Sequence, residues 1–227
     1  KDYLTLLTRQ AEVLGVLVLR SGIVGSNTQR SLSVEEFRGF AIVDEYAPVV
    51  FLNTKDTKAA LVFTLAHELA HLWVGQSAIS DVGLKDVPEG LAALEKYCNK
   101  VAVEFLVPKA DFAEKWRKDG DVIEIVNVLA RNYRVSSLVI LRRAYELNYI
   151  QKSLYFDLYE QILEQMISKD KGDGGGQFYT SFYARNGTRF VNDVVNAVAS
   201  GQETYRQASS LLGASVSVVS NLVSSAV

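Results

Sequence analysis

Apolar positions along the chain fall into two rhythms: a three-to-four-residue spacing that predicts helices, and short dense runs that predict strands. Leu4, Leu7, Ala11 and Leu14 line one stripe of a helix over residues 2–14, which Gly15 ends. Val16–Leu19 is a short strand, and the polar, glycine-containing stretch Arg20–Ser33 reads as a loop. Phe40–Val43 and Val49–Leu52 are two strands joined by Asp44-Glu45-Tyr46-Ala47-Pro48, a hairpin with turn chemistry. Asp56 is the expected N-cap of the next helix. That helix is apolar nearly all round (Leu61, Val62, Phe63, Leu65, Leu69, Leu72, Trp73), a pattern that demands burial. Gly75–Pro88 reads as a loop and Glu89–Leu106 as a helix.

Beyond Pro108 the pattern is helical almost throughout. Asp111–Lys118 is a short amphipathic helix and Asp119-Gly120-Asp121 a turn. Residues 125–150 have a helix-turn-helix rhythm. Ala130 lies in its first helix, Tyr133–Val135 fill the turn, Ser136 caps the second helix and Ile140 packs back. Ser153–Ser168 carries Leu154, Tyr155, Leu158, Tyr159, Ile162 and Met166 on one side, and Lys169–Gly176 (KDKGDGGG) is a flexible linker. Phe178, Tyr179, Phe182 and Tyr183 then cluster ahead of Arg185 and Arg189. Such a cluster can stack on single-stranded nucleic acid, but without a wider basic surface the docking of a helix is the favoured reading. Thr188–Ser200 is a helix closed by Gly201. Thr204 and Gln207 form a capping box, and Tyr205–Leu212 with Val216–Val223 repeat the helix-turn-helix rhythm with little positive charge, which favours protein over DNA as its contact.

Composition narrows the field. A chain of 227 residues with 48% hydrophobic content can bury a sizeable core, and a formal net charge of −2 gives no global pull towards nucleic acid or an anionic membrane. The single cysteine excludes an internal disulfide and fits a reducing, cytoplasmic setting. Val13–Leu19 is too short, and Glu12 beside it is wrong, for a signal peptide. The chain begins with Lys rather than Met, which leaves room for a preceding segment.

The chemistry concentrates in Thr64–Trp73, TLAHELAHLW, which contains His67-Glu68-x-x-His71. Residues four apart on a helix share a face about 6 Å apart along the axis, so both imidazoles reach one ion. Glu68 then sits beside that ion, placed to take a proton from water without being a ligand. These are the only two histidines in the chain. Burying them with a glutamate is costly unless hydrogen bonds or a metal compensate them. A small sheet preceding such a helix suits a peptidase, because an edge strand can take an extended peptide as one more strand.

A metal held by two histidines needs a third protein ligand and an open position. The candidates are Asp81, Asp86, Glu89, Glu95, Glu104 and the lone Cys98. Glu95 is preferred, since it shares a helical face with Asn99 at i+4 and with Ala92 and Ala102, whose small side chains let two helices approach. Asn99 could then hold Glu95 or a histidine from behind. Glu95 as a solvated helix charge is the competing reading. Cys98, three residues from Glu95, is a candidate inhibitory fourth ligand, against its reading as a small buried hydrophobe.

FTLAHELAH, followed by Glu95, Cys98, Asn99, Ala102, Glu104, Leu106 and Pro108 in the pattern E-x-x-C-N-x-x-A-x-E-x-L-x-P, resembles the ImmA/IrrE family of metallo-endopeptidases. Together with GFAIVDEYAPVVFLN the likeness covers roughly residues 10–150. The resemblance implies that His67, His71 and Glu95 bind one Zn2+ and that Glu68 is the general base. It also implies a substrate: a helix-turn-helix repressor or antitoxin cut in a stress, phage or toxin–antitoxin context. Many members carry their own N-terminal helix-turn-helix. Tyr46, Tyr97 and Arg134 are the candidate oxyanion stabilisers, no histidine being left for that role.

The expected fold is α+β: a small antiparallel-containing sheet packed on the HExxH helix (zincin-like), followed by a mostly helical C-terminal half. The expected division is a zincin-like metallopeptidase core at 1–108, a helix-turn-helix-like subdomain at 109–168, the Gly-rich linker at 169–176 and a C-terminal helical module at 177–227. Five basic residues between Arg131 and Lys152, against Glu146 alone, raise direct DNA contact by the helix carrying Arg142 and Arg143. Against it stand the absent basic face and Arg134 where the turn glycine usually sits. The rival to the protease is a non-catalytic regulator that binds a toxin or DNA through its helical modules. A non-peptidase zinc hydrolase is a third class. No membrane partner is expected.

Overall fold

The computed structural model describes residues 3–25, 27–80, 89–117, 119–167 and 178–226. The N-terminal helix α1 (Tyr3–Val13) leads into β1 (Leu17–Ser21), a small hairpin of β2 (Ile23–Val24) and β3 (Asn27–Ser31), then β4 (Gly39–Ile42), β5 (Val49–Asn53) and α2 (Lys58–Val74). The main sheet has the order β1-β5-β4-β6, with β6 (Ala78–Ser80) at one edge and β1 at the other. The β1–β5 pair is parallel; β4 runs antiparallel to both β5 and β6. Asp44 makes the β4–β5 turn by accepting hydrogen bonds from the Tyr46 and Ala47 amides, both at 2.8 Å, and these hold its carboxyl below the ordinary carboxylate range.

Three expectations need correction here. The stretch 20–33 is not simply a loop, because it contains the β2–β3 hairpin. Every residue of β3 is exposed, so no apolar alternation betrays it. The 75–88 segment contains β6, a three-residue strand with no hydrophobic pattern of its own, whose only signal is its pairing with β4. The cap of α2 is Thr57, not Asp56. Thr57 accepts from the Ala60 amide at 3.2 Å, while the Asp56 carboxylate is taken by Arg38, 3.0 Å away.

The sheet buries one face against α2. Val18, Val50 and Leu52 from the strands meet Leu61, Val62, Leu65 and Leu69 of the helix. The next helices, α3 (Glu89–Leu106), α4 (Lys109–Lys115), α5 (Val122–Tyr133), α6 (Ser137–Glu146) and α7 (Lys152–Ile167), extend this same core as far as Ile162. Ser136 caps α6 as expected. Arg134 closes α5 in the left-handed conformation, at a cost of about 1–2 kcal/mol for a residue with a Cβ. Arg143 of α6 is buried and pairs with Glu104 of α3, whereas Arg142 is exposed and pairs with Glu146 at 2.8 Å.

A second apolar cluster, from Phe182 to Val223, is built by α8 (Phe178–Asn186), α9 (Thr188–Ala199), α10 (Tyr205–Leu212) and α11 (Val216–Ala226). The capping box of Thr204 and Gln207 is formed. Phe182 is in this core, whereas Phe178 and Tyr179 are exposed. The linker read at 169–176 lies outside the described residues. Among the described residues no single helix is long and apolar enough to cross a membrane.

The second cluster meets the first along the outer edge of β1. Gly187, at φ 76°, lies so close to the Val18 carbonyl that a Cβ there would come within 2.9 Å of its oxygen. Gly187 also leaves α9 without a side-chain cap. Glu12 of α1 supplies one across 177 positions: its carboxylate accepts from the Arg189 amide at 3.2 Å, and its carbonyl from Arg189 Nη1 at 2.9 Å. A carboxylate at a helix N-terminus satisfies an orphan N–H and complements the dipole. Glu12→Ala is therefore expected to weaken this junction by about 1–2 kcal/mol, speeding hydrogen exchange of the Arg189 amide roughly 5- to 30-fold while leaving the α2 amides unchanged.

Candidate metal centre

The metal-bearing helix is pinned at both ends. Thr57 caps its start. At its end Gly75, at φ 76°, donates to Leu72 O (3.1 Å), and the Gln76 amide donates to His71 O (3.2 Å), so the closing turn contains the second histidine. His67 is 4% exposed, and Glu68 and His71 are fully buried. Three polar side chains in successive turns of a core helix need compensation.

Helix α3 provides it. Its Glu95 carboxylate bridges the two imidazoles, one oxygen 3.1 Å from His67 Nε2 and the other 3.2 Å from His71 Nε2, and the two Nε2 atoms are 3.0 Å apart. Hydrogen bonding to His67, then to His71, outweighs desolvation and holds the Glu95 carboxyl at about 2, so it stays ionised. The far nitrogens, His67 Nδ1 and His71 Nδ1, are buried without a hydrogen-bond partner among the described residues. The rings are held by packing, including Phe63 with its centroid 6.3 Å from that of His67, and by Glu95.

These three residues form a group able to hold a metal ion. Their spacing passes a quantitative test. A tetrahedral ion bound at about 2.0–2.1 Å sets its ligand atoms about 3.3–3.4 Å apart; the two Nε2 atoms are 3.0 Å apart and each has a different Glu95 oxygen within 3.2 Å, so the three side chains converge at about that spacing. Two imidazoles and one carboxylate suit a borderline-soft transition ion rather than calcium or magnesium. Glu68 is adjacent in sequence but outside the ligand group.

The remaining candidates fall elsewhere. Asp81 and Asp86 lie outside the described residues, as does the side chain of Glu89. Glu104 accepts from the Lys109 amide at 3.0 Å and pairs with Arg143, so it braces α3 against α4 and α6 instead of reaching the centre. Cys98 is buried but outside the ligand group. Burial first, then Glu95 and Glu68, push its thiol up to about 11. Asn99 is exposed, and among the described residues neither imidazole Nδ1 has a hydrogen-bond partner. Tyr46 and Tyr97 are exposed, at 85% and 55%. Arg134 lies over the Tyr3 ring and lines a cavity with Lys58, Ala59 and Val62 at the opening of α2, more than a turn before His67. Gly39, which opens β4 beside Glu68, was not among the expected site residues. A glycine at the head of an apolar strand, a mark of close backbone approach, was its only signal.

An apolar helix carrying two histidines and a separate buried glutamate, seated on a mixed sheet and closed by a glutamate from the next helix, is the α+β, zincin-like architecture of a metallopeptidase. Residues 11–145 match the family model of the IrrE N-terminal-like domain, and the chain belongs to that peptidase family. The match spans the sheet, both site helices and nearly all of α6, and stops short of the second cluster. Among curated proteins none matches the chain.

Proposed function

We propose that this protein is a zinc-dependent endopeptidase of the cytoplasm that cleaves a regulatory protein, a helix-turn-helix repressor or an antitoxin, in a stress, phage or toxin–antitoxin context. The convergence of His67, His71 and Glu95 on one point, with Glu68 beside it and outside the ligand group, carries this reading. His67, His71 and Glu95 would hold the ion. When bound, zinc supplies an acidified water and polarisation of the scissile carbonyl. Glu68 takes the proton from the attacking water and passes it to the departing amine, its carboxylate buried and set against β4. Tyr46 and Tyr97, both exposed, are the proposed oxyanion donors. The outer edge of β6 has no strand paired to it among the described residues, and offers main-chain groups to an extended peptide. The unpaired, buried Cys98 agrees with a reducing compartment.

The partner assignment is tested by incubating the zinc-loaded protein with the repressor encoded beside it and sequencing the products. One defined cut, abolished by chelation, supports the proposal. An intact repressor at stoichiometric enzyme, under every ionic condition in which the protein cleaves a random decapeptide pool, removes the repressor as substrate.

A further inference from the structure

Gly39 is buried and carries an ordinary negative-φ backbone, so its requirement is for space, not for conformation. A Cβ built on it would lie 2.6 Å from Thr64 Cγ2, 2.8 Å from the Phe51 carbonyl oxygen and 3.2 Å from Glu68 Oε1. Thr64 and Glu68 are one turn apart on the face of α2 that sits on the sheet, whereas His67 and His71 face Glu95 on α3. The bare Cα of Gly39 is thus a place where the sheet lies against the glutamate of the HExxH motif. The same residue pairs with Leu52 on one side and with Ser80 of the edge strand β6 on the other. Neighbouring strands are about 4.8 Å apart, so a peptide added to β6 would take its position from the row that also seats Glu68.

We propose that Gly39 is a positioning residue: by carrying no side chain it lets the Glu68 carboxylate rest against β4, and so sets the general base relative to the strand that receives the peptide. This rests on the peptidase reading above. A methyl at this position cannot be absorbed by a flexible side chain alone, because one of its neighbours is backbone of β5. Either α2 or β4 must move, and a displacement of about 1 Å at a reacting group can cost on the order of 100-fold in rate.

The test has two arms, both on the full chain. With the zinc-loaded protein and a quenched decapeptide chosen from a random pool, Gly39→Ala should lower kcat about 10- to 100-fold, leave KM within about twofold and leave bound zinc unchanged. Adding Thr64→Ser removes the Cγ2 clash, so it should restore the melting temperature more than it restores kcat. In the metal-free protein, the drop in melting temperature caused by Gly39→Ala should be smaller by at least about 2 °C when Glu68 is already alanine, because the two side chains compete for one space. An unchanged kcat in Gly39→Ala, or additive melting shifts, overturns the proposal. Coupled melting shifts in a protein that cleaves no peptide would sink the peptidase reading, and the positioning role with it.

Discussion

Glu68→Gln is expected to keep the bound metal and to lose cleavage by about 100- to 10,000-fold, the range typical of a removed general base. Glutamine has the shape of glutamate, so the packing against Thr64 and Gly39 survives and the melting temperature should stay close to that of the parent. What disappears is the capacity to accept a proton. The effect belongs in kcat, with KM little changed, because the residue acts on the reacting water instead of gripping the peptide. Metal content by mass spectrometry and single-turnover kinetics together decide the matter. A Glu68→Gln protein that cleaved at the parental rate would show that the buried carboxylate is structural.

The second large effect concerns the ion. Loss of one member of the His67, His71 and Glu95 group should abolish tight binding, since two ligands from a single helix are a poor substitute for three. A ligand present at 1,000 times its dissociation constant stabilises a folded protein by about 4 kcal/mol. At about 2–4 °C per kcal/mol for a chain of this size, chelation should lower the parental melting temperature by roughly 8–16 °C. His71→Ala and Glu95→Ala should melt at one temperature with and without chelator. Glu104→Ala is the control. It loses the Arg143 pair and the Lys109 contact but should retain the metal-dependent shift, because it braces the end of α3 instead of binding the ion.

These two outcomes also separate what could be read from residue order from what could not. The helix bearing His67 and His71 was legible because periodicity and the motif coincide in one stretch. Glu95 was harder. Its shared face with Asn99, Ala92 and Ala102 made it the preferred acid against a solvated helix charge, the resemblance strengthened it, and the bridging geometry sets it against both imidazoles. The capping box of Thr204 and Gln207 and the turn at Tyr133–Val135 were legible for the same reason as the motif, since their partners lie within a few residues; the left-handed backbone of Arg134 was not. The cap of α2 was misassigned between adjacent residues, Asp56 and Thr57, because a distant Arg38 competes for the aspartate. The basic pair on α6 suggested an outward-facing helix, yet Arg143 turns inward to Glu104, 39 positions earlier in the chain.

By itself the sequence determined which helix carries the chemistry, which of its residues face together, and that the lone cysteine has no disulfide partner in the chain. Those properties depend on neighbours one or two turns away, where the helix repeat leaves little freedom. Only the tertiary structure decided that Glu95 meets both imidazoles, that Gly39 lies against Glu68, that β6 is an edge of the sheet among the described residues, and that Glu12 caps α9 from the far side of the chain. Each of these joins segments that residue order leaves independent, and their meeting is selected by the burial of a shared core, which no local pattern encodes.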